Sequence, residues 1–265
     1  MNSAPPSKTA LITGASTGIG YELCKLFAAD GYNLVIVSRN GNSLKNVATD
    51  LERDYQISAY SIAKDLSVPE AAQEIYDEIQ SKKILINALV NNAGFGTFGL
   101  FAKTELSPTL EMIEVNVTSL TRLTKLFLDD MIATGTGKIL NIASTAAFQP
   151  GPLMAVYYAS KAYVLSFSDA LAYEIRGTGV TVTALCPGPT KTEFKNRAHM
   201  GNSGLFTSPN IMDAKRVAEI GYAAMIKGKR VVIAGFTNKL FAFTTRFSPR
   251  WFVLWFVYHY QKMKG

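Results

Sequence analysis

Tyr157 and Lys161 stand four residues apart in a stretch, Met154 to Arg176, that holds neither glycine nor proline and follows Pro150-Gly151-Pro152. Such a stretch is expected to be helical, and residues i and i+4 of a helix share a face. A phenol beside an ammonium can give a proton to an oxygen or take one from it. A free phenol titrates near pH 10, too high for easy work at neutral pH, and a neighbouring cation stabilises the phenolate. A fall of about 3 units asks for roughly 4 kcal/mol of differential stabilisation. Tyr158, three before Lys161, also lies within reach, so helical spacing leaves two tyrosines open. Ser144 follows the apolar run Lys138 to Ile142 and offers a hydroxyl that would hold a substrate oxygen.

A second group of residues is suited to phosphate. Gly14, Gly18 and Gly20 follow the apolar run Thr9 to Thr13 and precede a helical pattern, with Ser16, Thr17 and Ile19 between them. Glycines there permit a tight turn and a close backbone approach to a pyrophosphate, and the helix start adds N–H groups and partial positive charge. The spacing is G-x-x-x-G-x-G, not the more familiar G-x-G-x-x-G. After the next apolar run comes Ser38-Arg39-Asn40, with no carboxylate for a ribose 2′-hydroxyl. Serine and arginine suit a 2′-phosphate instead, so NADP(H) is expected over NAD(H).

The elements that must position these groups alternate. Thr9–Thr13, Leu34–Val37, Ala88–Val90, Lys138–Ile142, Val180–Leu185 and Arg230–Ile233 read as strands, apolar on both faces as in a buried parallel sheet. Amphipathic stretches such as Tyr21–Ala29 and Pro69–Gln80 lie between them. The pattern predicts an α/β chain with a doubly wound parallel sheet of Rossmann type, layered α/β/α. A single domain is expected, with a dinucleotide-binding and catalytic part over 1–235 and a C-terminal helical extension of the same domain over 236–265. Residues 187–210 lack periodicity and are rich in Gly, Pro, Asn and Ser, so they are expected to form a substrate-side loop.

Composition narrows the function classes. The chain has 265 residues, 48% of them apolar and only 18% charged, which fits an extensive interior or an oligomer interface. Cys24 and Cys186 are expected to be small buried apolar groups, and His199 and His259 lie far apart, so no metal site is expected. The net charge is +7, but no basic stripe with interleaved aromatics marks a nucleic-acid groove. Met1–Ser7 lacks a signal-peptide pattern, and a cytoplasmic location is expected.

The motifs together resemble the short-chain dehydrogenase/reductase family over about residues 8 to 235. Its T-G-x-x-x-G-I-G corresponds to Thr13–Gly20, its N-N-A-G to Asn91-Asn92-Ala93-Gly94, its asparagine to Asn116, its serine to Ser144 and its Y-x-x-x-K to Tyr157 and Lys161. The resemblance selects Tyr157 over Tyr158. It implies that Tyr157 is the general acid in reduction and the base in oxidation. Lys161 would lower its pKa, aided by an oxidised nicotinamide ring, and hold the nicotinamide ribose. Ser144 would orient the carbonyl, and Asn116 would hold a water that relays protons. The family's adenine contact corresponds to Asp65-Leu66, and its late P-G motif to Pro187-Gly188, with Thr192 placed to reach the nicotinamide amide and Thr190 also counted among the cofactor contacts. The family often carries a basic residue before G-I-G where NADP is preferred; here Thr17 stands there, leaving that preference to Arg39.

The family core usually ends near the last strand, whereas this chain continues with Phe241, Phe243, Phe247, Trp251, Phe252, Trp255 and Phe256 among Arg246, Arg250, Lys262 and Lys264. The apolar run Trp251–Tyr258 is too short to span a bilayer. Two readings of the tail stay open: a cover over the substrate site or an oligomer contact, and a peripheral seat on a membrane interface. The expected activity is hydride transfer between NADP(H) and a carbonyl or secondary alcohol of an apolar small molecule, in a homodimer or homotetramer. Reduction of a 3-oxoacyl thioester is the alternative, and a catalytically silent nucleotide sensor is the alternative of another class.

Overall fold

The computed structural model describes residues 8–198, 200 and 211–262. His199, residues 201–210 of the expected substrate-side loop, and Lys264 lie outside them. In chain order the strands are β1 Thr9–Thr13, β2 Asn33–Ser38, β3 Ala59–Ala63, β4 Ala88–Asn91, β5 Gly137–Ile142, β6 Val180–Cys186, β7 Thr190–Lys191, β8 Met212–Asp213 and β9 Val231–Ile233. The helices are α1 Gly18–Ala29, α2 Gly41–Tyr55, α3 Ala71–Ser81, α4 Leu106–Ile113, α5 Leu120–Ala133, α6 Ala155–Glu174, α7 Phe194–Arg197, α8 Ala214–Ile226, α9 Phe236–Thr244 and α10 Arg250–Lys262.

Seven strands form one parallel sheet in the order β3-β2-β1-β4-β5-β6-β9, and β7 pairs with β8 beside it. Successive strand residues point to opposite faces, and both faces are covered. Ala10, Ile12, Leu34 and Ile36 pack on one side against Leu23 and Phe27 of α1, Leu44 and Leu51 of α2, and Val217 and Met225 of α8. Leu11, Val35 and Leu89 pack on the other side against Ile75 and Ile79 of α3 and Phe127 and Met131 of α5. The result is the expected three-layer Rossmann-type sheet. Cys24 and Cys186 are buried within it as unpaired thiols.

β3 is absent from the sequence reading. It is the edge strand, paired only with β2, and Ala59, Tyr60 and Ser61 are half-buried, so it lacks the double-sided apolar run of the inner strands. The chain builds outward from β1 through β2 to β3, then crosses back to lay β4 on the other flank of β1. This reversal opens a crevice at the carboxyl ends of β1 and β4, where open α/β sheets bind ligands.

Candidate active site

The cofactor end of the crevice is made mostly of backbone. Gly14 and Gly18 adopt φ of +65° and +60°, which a side chain would strain. Gly20 is fixed by space: a Cβ there would collide with Gly14 O and Asn92 Nδ2. Asn92 locks the turn, its Nδ2 donating to Thr13 O at 2.9 Å and Gly14 O at 3.1 Å. Thr13 Oγ1 accepts from both Asn92 N and Ala93 N at 3.0 Å. The N-N-A-G segment and the glycine turn are thus one hydrogen-bonded unit. Below it, Asn91 Nδ2 donates to Asn141 Oδ1 at 2.9 Å, and Asn141 Nδ2 to Ser168 Oγ at 2.9 Å, tying β4, β5 and α6 together beneath the site.

These residues fit a dinucleotide on two independent observations. The first turn of α1 has no side-chain cap from Thr17 and no acidic residue, which leaves its N–H donors directed at the crevice. Ser38 Oγ, at the end of β2, is buried without a hydrogen-bond partner among the described residues. Beside it the Arg39 guanidinium stands 3.9 Å from Asp65 Oδ2, an exposed contact too long to hold it firmly. Asp65 itself accepts from Ser67 N at 3.0 Å and Ser67 Oγ at 2.8 Å.

The catalytic group sits where β5 and α6 meet. Lys161 is buried, and its Nζ donates to Ile142 O at 2.8 Å and lies 5.8 Å from the centroid of the Tyr157 ring. Ser144 Oγ accepts from Ala146 N at 3.1 Å, which fixes the hydroxyl at the start of a tight turn after β5. Asn116 lies on a π-helical turn between α4 and α5, a type of distortion common at functional sites. Its Nδ2 donates to Phe95 O and Ser160 Oγ, both at 3.0 Å, and its Oδ1 accepts from Phe95 N. A Cβ on Gly94 would lie 3.0 Å from Asn116 Oδ1 and 3.4 Å from Lys161 Nζ, so these two side chains meet in one small space beside Gly94.

The tyrosines separate. Tyr157 lies against Ser144, and that hydroxyl favours its phenolate. Tyr158 also borders the cleft, but its Oη accepts from Gln261 Nε2 of α10 at 2.8 Å. The expected fall in the Tyr157 pKa is not present in the chain by itself. Burial pushes the phenol up to about 12, outweighing Ser144. Burial also pulls the Lys161 ammonium down to about 8. Desolvation penalises both charged forms here.

One cleft of about 700 Å³ joins these parts. Gly14, Ser16, Thr17, Gly18, Ile19, Ser38, Arg39, Asp65, Leu66, Asn92, Ala93, Gly94, Ser144, Tyr157, Lys161, Pro187, Gly188, Thr190 and Thr192 all line it. Gly20 and Asn116 do not: Gly20 lies one layer in, under the turn, and Asn116 behind Gly94. Thr192 rests on the glycine turn, its methyl 3.1 Å from where a Gly18 Cβ would be.

The substrate end contains residues the sequence reading did not single out. Met154, Phe194 and Met200 gather around Tyr157, whose ring centroid is 5.2 Å from that of Phe194. The tail closes the wall with Asn238, Phe241, Phe256, Val257 and Tyr260. Gly188 admits α9, because a Cβ there would collide with the Asn238 side chain. Gln149 also lines the cleft, and its Oε1 is buried without a partner among the described residues. Only the aromatic content of the tail could have signalled this wall.

The chain matches the family model for short chain dehydrogenase over residues 8–202. It is 33% identical to the very-long-chain 3-oxoacyl-CoA reductase of Phaeosphaeria nodorum, over 76% of this chain and 65% of the other. The match spans 58% of the length of the 17-beta-hydroxysteroid dehydrogenase type 3 of Mus musculus and 86% of that of the sulfoacetaldehyde reductase 2 of Chromohalobacter salexigens. A short-chain dehydrogenase from Sphingobium yanoikuyae, solved with NADPH, superposes with a TM-score of 0.81 at 30% identity, covering 90% of this chain and 93% of that one. The bulky-bulky ketone specific alcohol dehydrogenase of Comamonas testosteroni superposes with a TM-score of 0.78 at 28% identity, covering 92% and 94%. With the matched sequence, the sheet order and the assembled crevice in agreement, the chain belongs to the short-chain dehydrogenase family of oxidoreductases.

Proposed function

We propose that the chain transfers a hydride between NADP(H) and an apolar ketone or secondary alcohol. The observation that carries this reading is the position of Tyr157, with a backbone phosphate cradle on one side and an aromatic wall on the other. A bound nicotinamide supplies or accepts the hydride. The chain handles the proton. Ser144 Oγ holds the substrate oxygen, and the Tyr157 hydroxyl gives its proton to that oxygen during reduction. Lys161 stabilises the phenolate that results, and Asn116 lies beside it on the path for proton return. The same groups run in reverse for alcohol oxidation. Burial keeps Tyr157 protonated in the chain alone, which suits a general acid.

Arg39 and the Ser38 hydroxyl, which has no hydrogen-bond partner among the described residues, support NADP(H) over NAD(H). The test is kcat/KM for NADPH against NADH with one apolar ketone. NADPH is expected to win by at least about tenfold, and Arg39→Asp to reverse the order, since a phosphate contact is worth on the order of 1.5–3 kcal/mol. Equal use of both cofactors would contradict the preference. A second reading, reduction of a 3-oxoacyl thioester, is favoured by the Phaeosphaeria relative. Turnover of 3-oxoacyl thioesters with no simple ketone accepted would establish it. NADPH binding with no turnover across both panels would leave a nucleotide sensor.

A further inference from the structure

α10 is built the wrong way round for a helix facing water. Its inward face is a narrow stripe, Val253, Val257 and Gln261, spaced by four. A surface helix ordinarily turns charged and polar residues outward. Here the outward residues are Trp251 (71% exposed), Phe252, Leu254 and Trp255 (54%). α9 and the turn after it repeat the pattern with Phe236 (81%), Leu240, Phe243 and Phe247 (74%). Apolar surface that is contiguous and exposed marks a docking site.

The charges around this surface have one sign. Between residues 236 and 265 the sequence carries Lys239, Arg246, Arg250, Lys262 and Lys264 and no Asp or Glu. Among the described residues, none of Lys239, Arg246, Arg250 and Lys262 pairs with a carboxylate. A second copy docked tail to tail would bring like charges together with nothing to neutralise them, because a twofold contact uses the same patch twice. An anionic lipid surface supplies the missing charge and accepts the aromatic rings, which favour the headgroup level. No helix among the described residues is long and apolar enough to cross a membrane, so the contact lies in the plane of the interface.

We propose that α9 and α10 seat the chain on the surface of an anionic membrane. The seat adjoins the cleft. Phe241 and Phe256, which line it, have ring centroids 6.2 Å apart. Phe256 stacks on Phe252 at 6.4 Å, and Phe252 on the exposed Trp255 at 6.2 Å. An unbroken aromatic run therefore leads from the surface to the substrate end. The membrane seat does not depend on the substrate being apolar. It rests on the tail alone.

The test is flotation of the full chain with vesicles of phosphatidylcholine, or of phosphatidylcholine with a third phosphatidylglycerol. The wild type is expected to float with the anionic vesicles and to be released by high salt. Arg246→Gln with Arg250→Gln is expected to lower the partition about thirtyfold, from about 1 kcal/mol per charge near the surface. Phe247→Ser with Trp251→Ser is expected to lower it at least tenfold on both vesicle types. Neither pair lines the cleft, so melting temperature and turnover of a water-soluble ketone should stay unchanged. A wild type that ignores anionic vesicles would overturn the proposal. So would a dimer in vesicle-free solution that Phe247→Ser with Trp251→Ser splits, since a second copy would then be the occupant.

Discussion

The two ends of the cleft are built on different principles. At the cofactor end, the chain lines the crevice mostly with main-chain atoms, in a glycine turn and an uncapped helix start, and the Asn92 side chain locks the turn. At the substrate end it uses side chains alone, Met154, Phe194, Phe241 and Phe256, drawn from elements far apart in sequence. Backbone shape depends on a few obligatory residues at fixed spacing. An apolar wall accepts many residues of about the right size. One end therefore fixes the cofactor class tightly, and the other can be re-cut for a new substrate without disturbing the first. Tyr157 stands at the junction and serves both.

The comparison breaks first at that junction. Tyr157→Phe removes the proton donor and keeps the ring. It is expected to lower kcat by about 10²–10⁴-fold, the usual span for general acid catalysis, with NADPH binding unchanged. Steady-state turnover with fluorescence titration of NADPH checks both. A variant with wild-type kcat would remove Tyr157 from the mechanism.

Lys161 sharpens the same point from the side of stability. Its folded pKa lies below the ordinary lysine value, so between about pH 8 and the unfolded value the unfolded chain binds more protons. The cost of burying the charge is therefore fully present below pH 8 and is relieved as pH rises through that window. Lys161→Met is expected to be inactive yet more stable than the wild type at pH 7, by up to about 3 kcal/mol. The advantage should shrink between pH 8 and 10. Chemical denaturation at several pH values measures it, and a variant less stable at pH 7 would show that the ammonium helps hold the fold.

Gly20→Ala tests the backbone end. The added methyl meets Gly14 O and the Asn92 carboxamide, neither of which can move without opening the turn. Affinity for NADPH is expected to fall about ten- to a hundredfold, matching the roughly 1–3 kcal/mol of one or two misplaced hydrogen bonds. KM for ketone, measured at saturating cofactor, should barely change. A fall in both would mean that the two ends are mechanically coupled.

This contrast also explains what could be read from the sequence. Thr13–Gly20, Asn92 and the inner strands announce themselves because backbone geometry and double-sided burial each demand particular residue types. β3 was missed because an edge strand with Tyr60 and Ser61 half-exposed carries a weaker pattern. Spacing left Tyr157 and Tyr158 equivalent, and the structure separates them by what each hydroxyl meets, Ser144 or Gln261. The Gln261 contact spans 103 residues, beyond any local pattern. The phenol's pKa moves opposite to expectation, because burial outweighs the Ser144 hydroxyl. The wall formed by α9 and α10 was visible only as composition, since an aromatic residue looks the same in a cleft, an interface or a lipid surface.

The most direct test of the account is kcat/KM for a homologous series of straight-chain methyl ketones with NADPH. An apolar wall predicts a rise of about fourfold per added methylene, from about 0.8 kcal/mol of transfer free energy each, until the wall is filled. Phe241→Ala should flatten the last steps of that rise and leave KM for NADPH unchanged. A series that is flat or falls with chain length would contradict an apolar substrate end, whatever happens at the glycine turn.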